Sequence, residues 1–146
     1  MQHNGKVSEG ISPKMVDWIL YNLPALRAQI AETEPRTSTS VVIFSGRNVR
    51  LPSSAVESIA IKRAAVSSVL DAVERGIKSL HPEQRKVYRM KYRAGKSHKQ
   101  ISQRVYISEE TVGRRLAEIR AVVAYCIQQA PQSDLREFAR FFMSRD

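Results

Sequence analysis

Residues Leu80–Arg120 read LHPEQRKVYRMKYRAGKSHKQISQRVYISEETVGRRLAEIR, and three short helical patterns separated by two stop signals lie within them. Pro82 suits a first helical turn, Val87, Met90 and one of Tyr88 or Tyr92 give an apolar face running to Arg93, and Gly95 is placed to end that helix. Ser97 and Gln100 have capping-box spacing, and the helix they open turns Ile101 and Val105 inward, with Lys99, Gln103 and Arg104 outside and a small Ser102. Ile107 plugs the next turn. Ser108 then caps a third helix, predicted from Glu109 to about Tyr125, whose Val112, Leu116 and Ile119 point inward at steps of four and three. A supporting helix, a tight turn and a helix with a free outer face are the parts of a helix-turn-helix.

The outward residues of the third helix have the chemistry to read bases in a major groove. Arg114 or Arg115 can donate two parallel hydrogen bonds to guanine, Thr111 can meet a thymine methyl or a phosphate, and Glu110 can accept from cytosine N4. Gly113 lets a backbone come close, or is tolerated there at a cost of roughly 1 kcal/mol relative to alanine. The phosphate-contact candidates are Lys96, Lys99, Arg104 and Arg120, with the helix starts capped by Ser97 and Ser108.

Charge is concentrated on the same stretch. The 146-residue chain carries a formal net charge of +10, and residues 80–120 hold eleven basic against four acidic side chains, a net of +7. Residues 1–79 add only +3, and residues 121–146 are balanced. A focused basic surface attracts polyanions, although a solvated basic face reads the same way on charge alone. With 42% apolar and 26% charged residues the chain is globular in composition and long enough for a modest core. Cys126 is the only cysteine, which excludes an internal disulfide or a cysteine zinc cluster and suits a reducing compartment. Met1–Gly10 lacks the apolar core of a signal peptide and no stretch approaches a membrane span, so a cytoplasmic location with no membrane partner is expected.

The flanks read as helical attachments, giving an all-α chain with long amphipathic helices before the motif. Residues 1–34 form an N-terminal arm, in which Val16, Ile19, Leu20, Leu23, Leu26 and Ile30 make one stripe and Pro24 implies a kink or two short helices. Residues 35–53 are a linker. Its Val41–Phe44 and Val49–Leu51 flank Ser45-Gly46-Arg47 and could pair as a small hairpin, but a loop is expected because an isolated hairpin is marginal. In 54–79, Ser54 and Glu57 suggest a capping box, followed by a near-heptad stripe of Val56, Ile59, Val66, Val69, Leu70, Val73 and Ile77. That stripe either packs within the chain, the expected case, or pairs with another copy, so a homo-oligomer through the N-terminal or 54–79 helices stays open. Beyond a helix-turn-helix domain at 80–130, residues 131–146 form a C-terminal aromatic helix, with Asp134 and Glu137 as a capping box and Phe138, Phe141 and Phe142 as a lid on the core or a docking surface.

Leu80, Pro82, Glu83, Gln84, Arg85, Val87, Met90 and Tyr92, then Gly95-Lys96-Ser97, Ile101, Val105, Ile107-Ser108, Thr111-Val112 and Arg115-Leu116, together resemble the region 4 type helix-turn-helix of bacterial sigma factors. Within that group the chain resembles most the RinA and ArpU type phage transcriptional regulators. The order of the flanking helices, one around Leu20 to Glu34 and one from Ala55, is similar too. The resemblance implies double-stranded DNA as partner, a late-gene activator working with RNA polymerase in a bacterial or prophage setting, and no cofactor. Four positions depart from the pattern. His81 separates Leu80 from Pro82, Gln100 and Ser102 stand where Glu and Ala are common, and Tyr106 takes a turn position that often holds glycine. A bulky residue at positive φ there would be strained.

An enzyme is not expected, because His3, His81 and His98 are scattered, Cys126 has no adjacent base, and no phosphate-binding loop or dinucleotide fingerprint is present; no metal site is expected either. The chain is short for a sigma factor, which needs a further domain to open promoters. A small terminase-like DNA-packaging protein and a helical protein-interaction module without DNA reading remain as alternatives.

Overall fold

In a computed structural model, the described residues are 11–33, 42–44, 47–49 and 53–144. Among the described residues there are six helices, one π-helical turn and a two-stranded hairpin: α1 (Pro13–Thr33), β1 (Val42–Phe44), β2 (Arg47–Val49), α2 (Ser53–Lys78), α3 (Pro82–Tyr88) running into a π turn (Arg89–Arg93), α4 (His98–Val105), α5 (Glu109–Gln128) and α6 (Gln132–Ser144). The fold is helical, as the periodicities require. The linker nevertheless contains the hairpin that was the lesser expectation, with Val42 opposite Val49, Ile43 opposite Asn48 and Phe44 opposite Arg47.

Helix α1 begins where Ser12 Oγ accepts from the Met15 N–H at 3.1 Å, an N-cap contact. It is one continuous helix with an exposed Pro24 inside it rather than two pieces. Proline has no N–H to give the carbonyl four residues back, here Leu20. That oxygen is not left orphaned, because Arg93 Nη1 in the π turn donates to it at 3.0 Å. The stripe of Val16, Ile19, Leu20, Leu23 and Leu26 is buried as a set.

Helix α2 is the hub, packing on α1, α5 and α6. Its Val66, Val69, Leu70 and Val73 are buried inside the chain, so the described part of the near-heptad stripe is occupied by intrachain partners. The side chains of residues 53–61, including the Ser54–Glu57 pair and Val56 and Ile59, lie outside the described residues. At Gly76 the helix meets α5 so closely that a Cβ would stand 3.2 Å from the Val123 Cα and 3.4 Å from the Cys126 Sγ. Arg85 Nη2 donates to the Lys78 and Leu80 carbonyls at 3.0 Å each, closing the C-terminal end of α2.

Helix α6 starts directly after Pro131, so Asp134 lies in its first turn and is not the N-cap that its spacing to Glu137 suggested; Glu137 instead pairs with Arg140. Phe138 is fully buried against the core, and Phe142 meets Trp18 edge-on with centroids 5.2 Å apart. The aromatic helix is therefore a lid. Among the described residues no helix is long and apolar enough to cross a membrane.

Candidate nucleic-acid interface

The path into the interface starts at the N-terminus of α3. Leu80 is buried, His81 extends at φ −67° and ψ 157°, and Gln84 Oε1 accepts from the His81 N–H at 2.9 Å, so the inserted residue serves as the N-cap position before Pro82. After Tyr88 the helix widens, and the Ala94 N–H reaches back five residues to the Arg89 carbonyl at 2.9 Å. Gly95 then takes φ +69°, and the Lys96 N–H returns to the Met90 carbonyl at 2.9 Å.

This π turn fastens the module to α1. Tyr92 donates its hydroxyl to Asp17 Oδ1 at 2.5 Å, and Tyr21 lies edge-on to Tyr92 at 4.7 Å. Arg93 stacks over the Tyr88 ring at 5.1 Å and donates to the Tyr88 hydroxyl. Burial, with the Asp17 carboxylate beside it, pushes the Tyr92 hydroxyl above its ordinary pKa, and burial also raises Tyr88. Both stay protonated as hydrogen-bonding groups at neutral pH. On the far side, Arg27 spans Glu74 and Asp71 and its pKa is raised chiefly by the hydrogen bond it donates to Glu74, tying α1 to α2.

The capping box read from the sequence is present at α4. Ser97 Oγ accepts from the Gln100 N–H at 3.2 Å while Gln100 Oε1 accepts from the Ser97 N–H at 2.9 Å. Gln100 thus performs the role for which glutamate is common, and adds no negative charge at this helix start. Ile101 is fully buried and Lys99, Gln103 and Arg104 are exposed.

The turn into α5 is held by two hydrogen bonds. Tyr106 adopts φ 59° and ψ 45°, its N–H bonds to the Ser102 carbonyl, and Ser102 Oγ donates to the Ile107 carbonyl at 2.5 Å. Ser102 therefore does more than leave room: its hydroxyl braces the turn. A left-handed backbone costs a non-glycine residue roughly 1–2 kcal/mol. The tyrosine ring recovers none of it by burial, being 91% exposed. Ser108 next caps α5, accepting from the Thr111 N–H at 3.0 Å, and Arg114 Nη2 donates to Thr111 Oγ1 at 3.3 Å.

The first turns of α5 leave a free outer row. Glu110, Arg114, Ala117 and Glu118 are exposed, and Gly113 sits at the edge with nothing within 4 Å of where a Cβ would lie. Glu109 and Glu110 are stabilised by the helix dipole, a bland reason for acids at that end. Arg114 has no such return. Thr111 is half-buried, and Lys96 is half-buried beside the exposed Ser97 and Ser108.

Two expected contacts stand apart. Arg115 is half-buried on the flank of α5, with its Nε enclosed and without a hydrogen-bond partner, so Arg114 and not Arg115 belongs to the outer row. Arg120 Nη1 lies 3.5 Å from Asp17 Oδ1, in the same polar knot as Tyr92, which turns it toward α1 and away from the phosphate set. Ala117, exposed one turn after Gly113 and Arg114, joins that outer row, and alanine carries no chemical signal that would mark it in the sequence. Among the described residues no group of histidine, cysteine or acidic side chains could hold a metal ion.

Residues 70–122 match the family model described as Sigma-70, region 4. The module is a sigma region 4-like helix-turn-helix. Its match begins inside α2, ten residues before the stretch that signals it in the sequence, and ends within α5. Searches of curated proteins and of solved structures found no match. In the region 4-like module α3 is the supporting helix and α4 and α5 form the helix-turn-helix, an arrangement suited to binding DNA.

Proposed function

We propose that the chain is a sequence-specific double-stranded DNA-binding transcriptional regulator, a late-gene activator of the RinA/ArpU phage type that acts with RNA polymerase. The observation that carries this reading is the pair of capped helix starts at Ser97 and Ser108, with exposed Lys99, Arg104 and Arg114 around them and an outer row on α5 that no part of the described chain covers. Free N–H groups and the positive ends of two helix dipoles are suited to phosphates on either side of a groove.

In this reading Arg114 takes guanine, Glu110 takes cytosine N4, and Thr111, Gly113 and Ala117 set how closely α5 enters the major groove. Arg115 stands at the edge of that row. Lys96, Ser97, Lys99, Arg104 and Ser108 hold the backbone, and Arg120 is released from that duty by Asp17. The roles are of binding only, with no catalytic step.

Selection of bound sequences from a random duplex library, followed by salt titration of the winner and a scrambled control, tests the reading. Enrichment of one compact motif with a large specificity ratio supports a regulator, and transcription by purified RNA polymerase from a promoter carrying that motif should then rise on adding the protein. Weak binding without a motif by a large oligomer would instead mark a packaging protein. Absence of binding would leave the helical interaction module.

A further inference from the structure

Tyr106 combines two features that a soluble fold does not ordinarily retain together. It is a non-glycine residue in the left-handed region, and its ring is 91% exposed. Among the described residues its hydroxyl and ring have no hydrogen-bond or stacking partner. The same backbone demand is met at Gly95, at φ +69°, by glycine. At the second turn the chain keeps a large aromatic side chain where a glycine would fit without strain. Strain of that kind, held without any packing return, marks a residue used by a partner.

We propose that Tyr106 clamps the DNA sugar–phosphate backbone at the rim of the major groove, its ring against a deoxyribose and its hydroxyl donating to a phosphate oxygen. The inference rests on the DNA-binding reading above and adds a contact to it. Tyr106 lies two residues before Ser108, so its Cα is within about 8 Å of the cap that opens the recognition helix. Arg104, two residues before it, and Lys99, also on α4, are exposed cations, which makes the surroundings suited to a polyanion. A neutral donor with a flat apolar face fits a backbone that alternates sugar and phosphate, and tyrosine hydroxyls are among the groups that bond phosphates. Such a contact favours no base.

The test uses the full chain with Tyr106→Gly and Tyr106→Phe, thermal melting, and binding to the selected duplex and to its scrambled control over a series of salt concentrations that includes the physiological one. Tyr106→Gly should melt at the parent temperature or up to about 3 °C higher, because the strain is gone. It should nevertheless bind both duplexes about tenfold more weakly. Tyr106→Phe, which keeps the ring, should lose about threefold on both, the share of one hydrogen bond. The slope of log affinity against log salt should not change for either, since no charge is removed.

Parent-like binding by Tyr106→Gly would overturn the clamp. A loss confined to the selected duplex would replace it with a base contact, and full affinity in Tyr106→Phe would remove the phosphate bond; either result overturns the proposal as stated. If Tyr106→Gly loses its fold, Tyr106→Phe decides alone. If the parent chain binds neither duplex, the DNA reading itself fails, an outcome distinct from a normal parent with an unaffected variant.

Discussion

The two halves of α5 share a helix and differ in everything around it. Its last turns carry Val123 and Ile127 fully buried, and pass Gly76 of α2 so closely that even a Cβ there would be a tight fit against the Val123 Cα. Along its first turns the row from Glu110 through Arg114 to Ala117 is exposed. One rigid rod is anchored at one end and presented at the other. Recognition side chains are thereby held by a core they do not belong to, and positional precision at the reading end derives from packing about three turns away.

The largest effect should come from the anchored end. Phe138→Ala removes a fully buried ring over that core and should cost about 3–5 kcal/mol in chemical denaturation, a large part of the stability of a domain this size. A single cooperative transition in that variant would show anchor and reader to be one unit, whereas two separate transitions would break the contrast drawn here.

At the presented end, Arg114→Ala should leave the thermal midpoint unchanged and weaken specific binding by roughly 1–3 kcal/mol, with relaxed preference at one base pair. Lys99→Ala should weaken specific and scrambled duplexes alike and lower the salt slope by about one. Equal losses on both duplexes for Arg114→Ala would take that residue out of base reading.

The smallest effect is the most discriminating. Gly113→Ala meets open space in the free protein and should stabilise the helix by up to about 1 kcal/mol. Binding that weakens in this more stable variant would mean that the backbone at residue 113 comes close to DNA, and unchanged binding would mean that the glycine is only tolerated.

Most of the module was legible because its signals are local. The Ser97–Gln100 box, the Ser108 cap, the stop at Gly95 and the inward steps of Val112, Leu116 and Ile119 each depend on residues within one or two turns. What escaped depends on distant partners. Nothing near Gly76 in the chain announces that Val123 will lie against it, and nothing near Arg120 announces Asp17, more than a hundred residues earlier. The π turn escaped because the buried Tyr88 and Tyr92 stand four residues apart, which reads as an ordinary α-helical step. Tyr106 stood out only as a misfit to a glycine position, and its backbone shows that the misfit is real.

Pro24 also reaches beyond its own helix. By withholding its N–H it exposes a single carbonyl, that of Leu20, on a rod whose other interior carbonyls are taken, and Arg93 bonds to that one. Sliding α1 by a turn in either direction would offer Arg93 only carbonyls already engaged. The proline works as a registration notch: it tells the N-terminal helix where along its length the helix-turn-helix half of the molecule must sit.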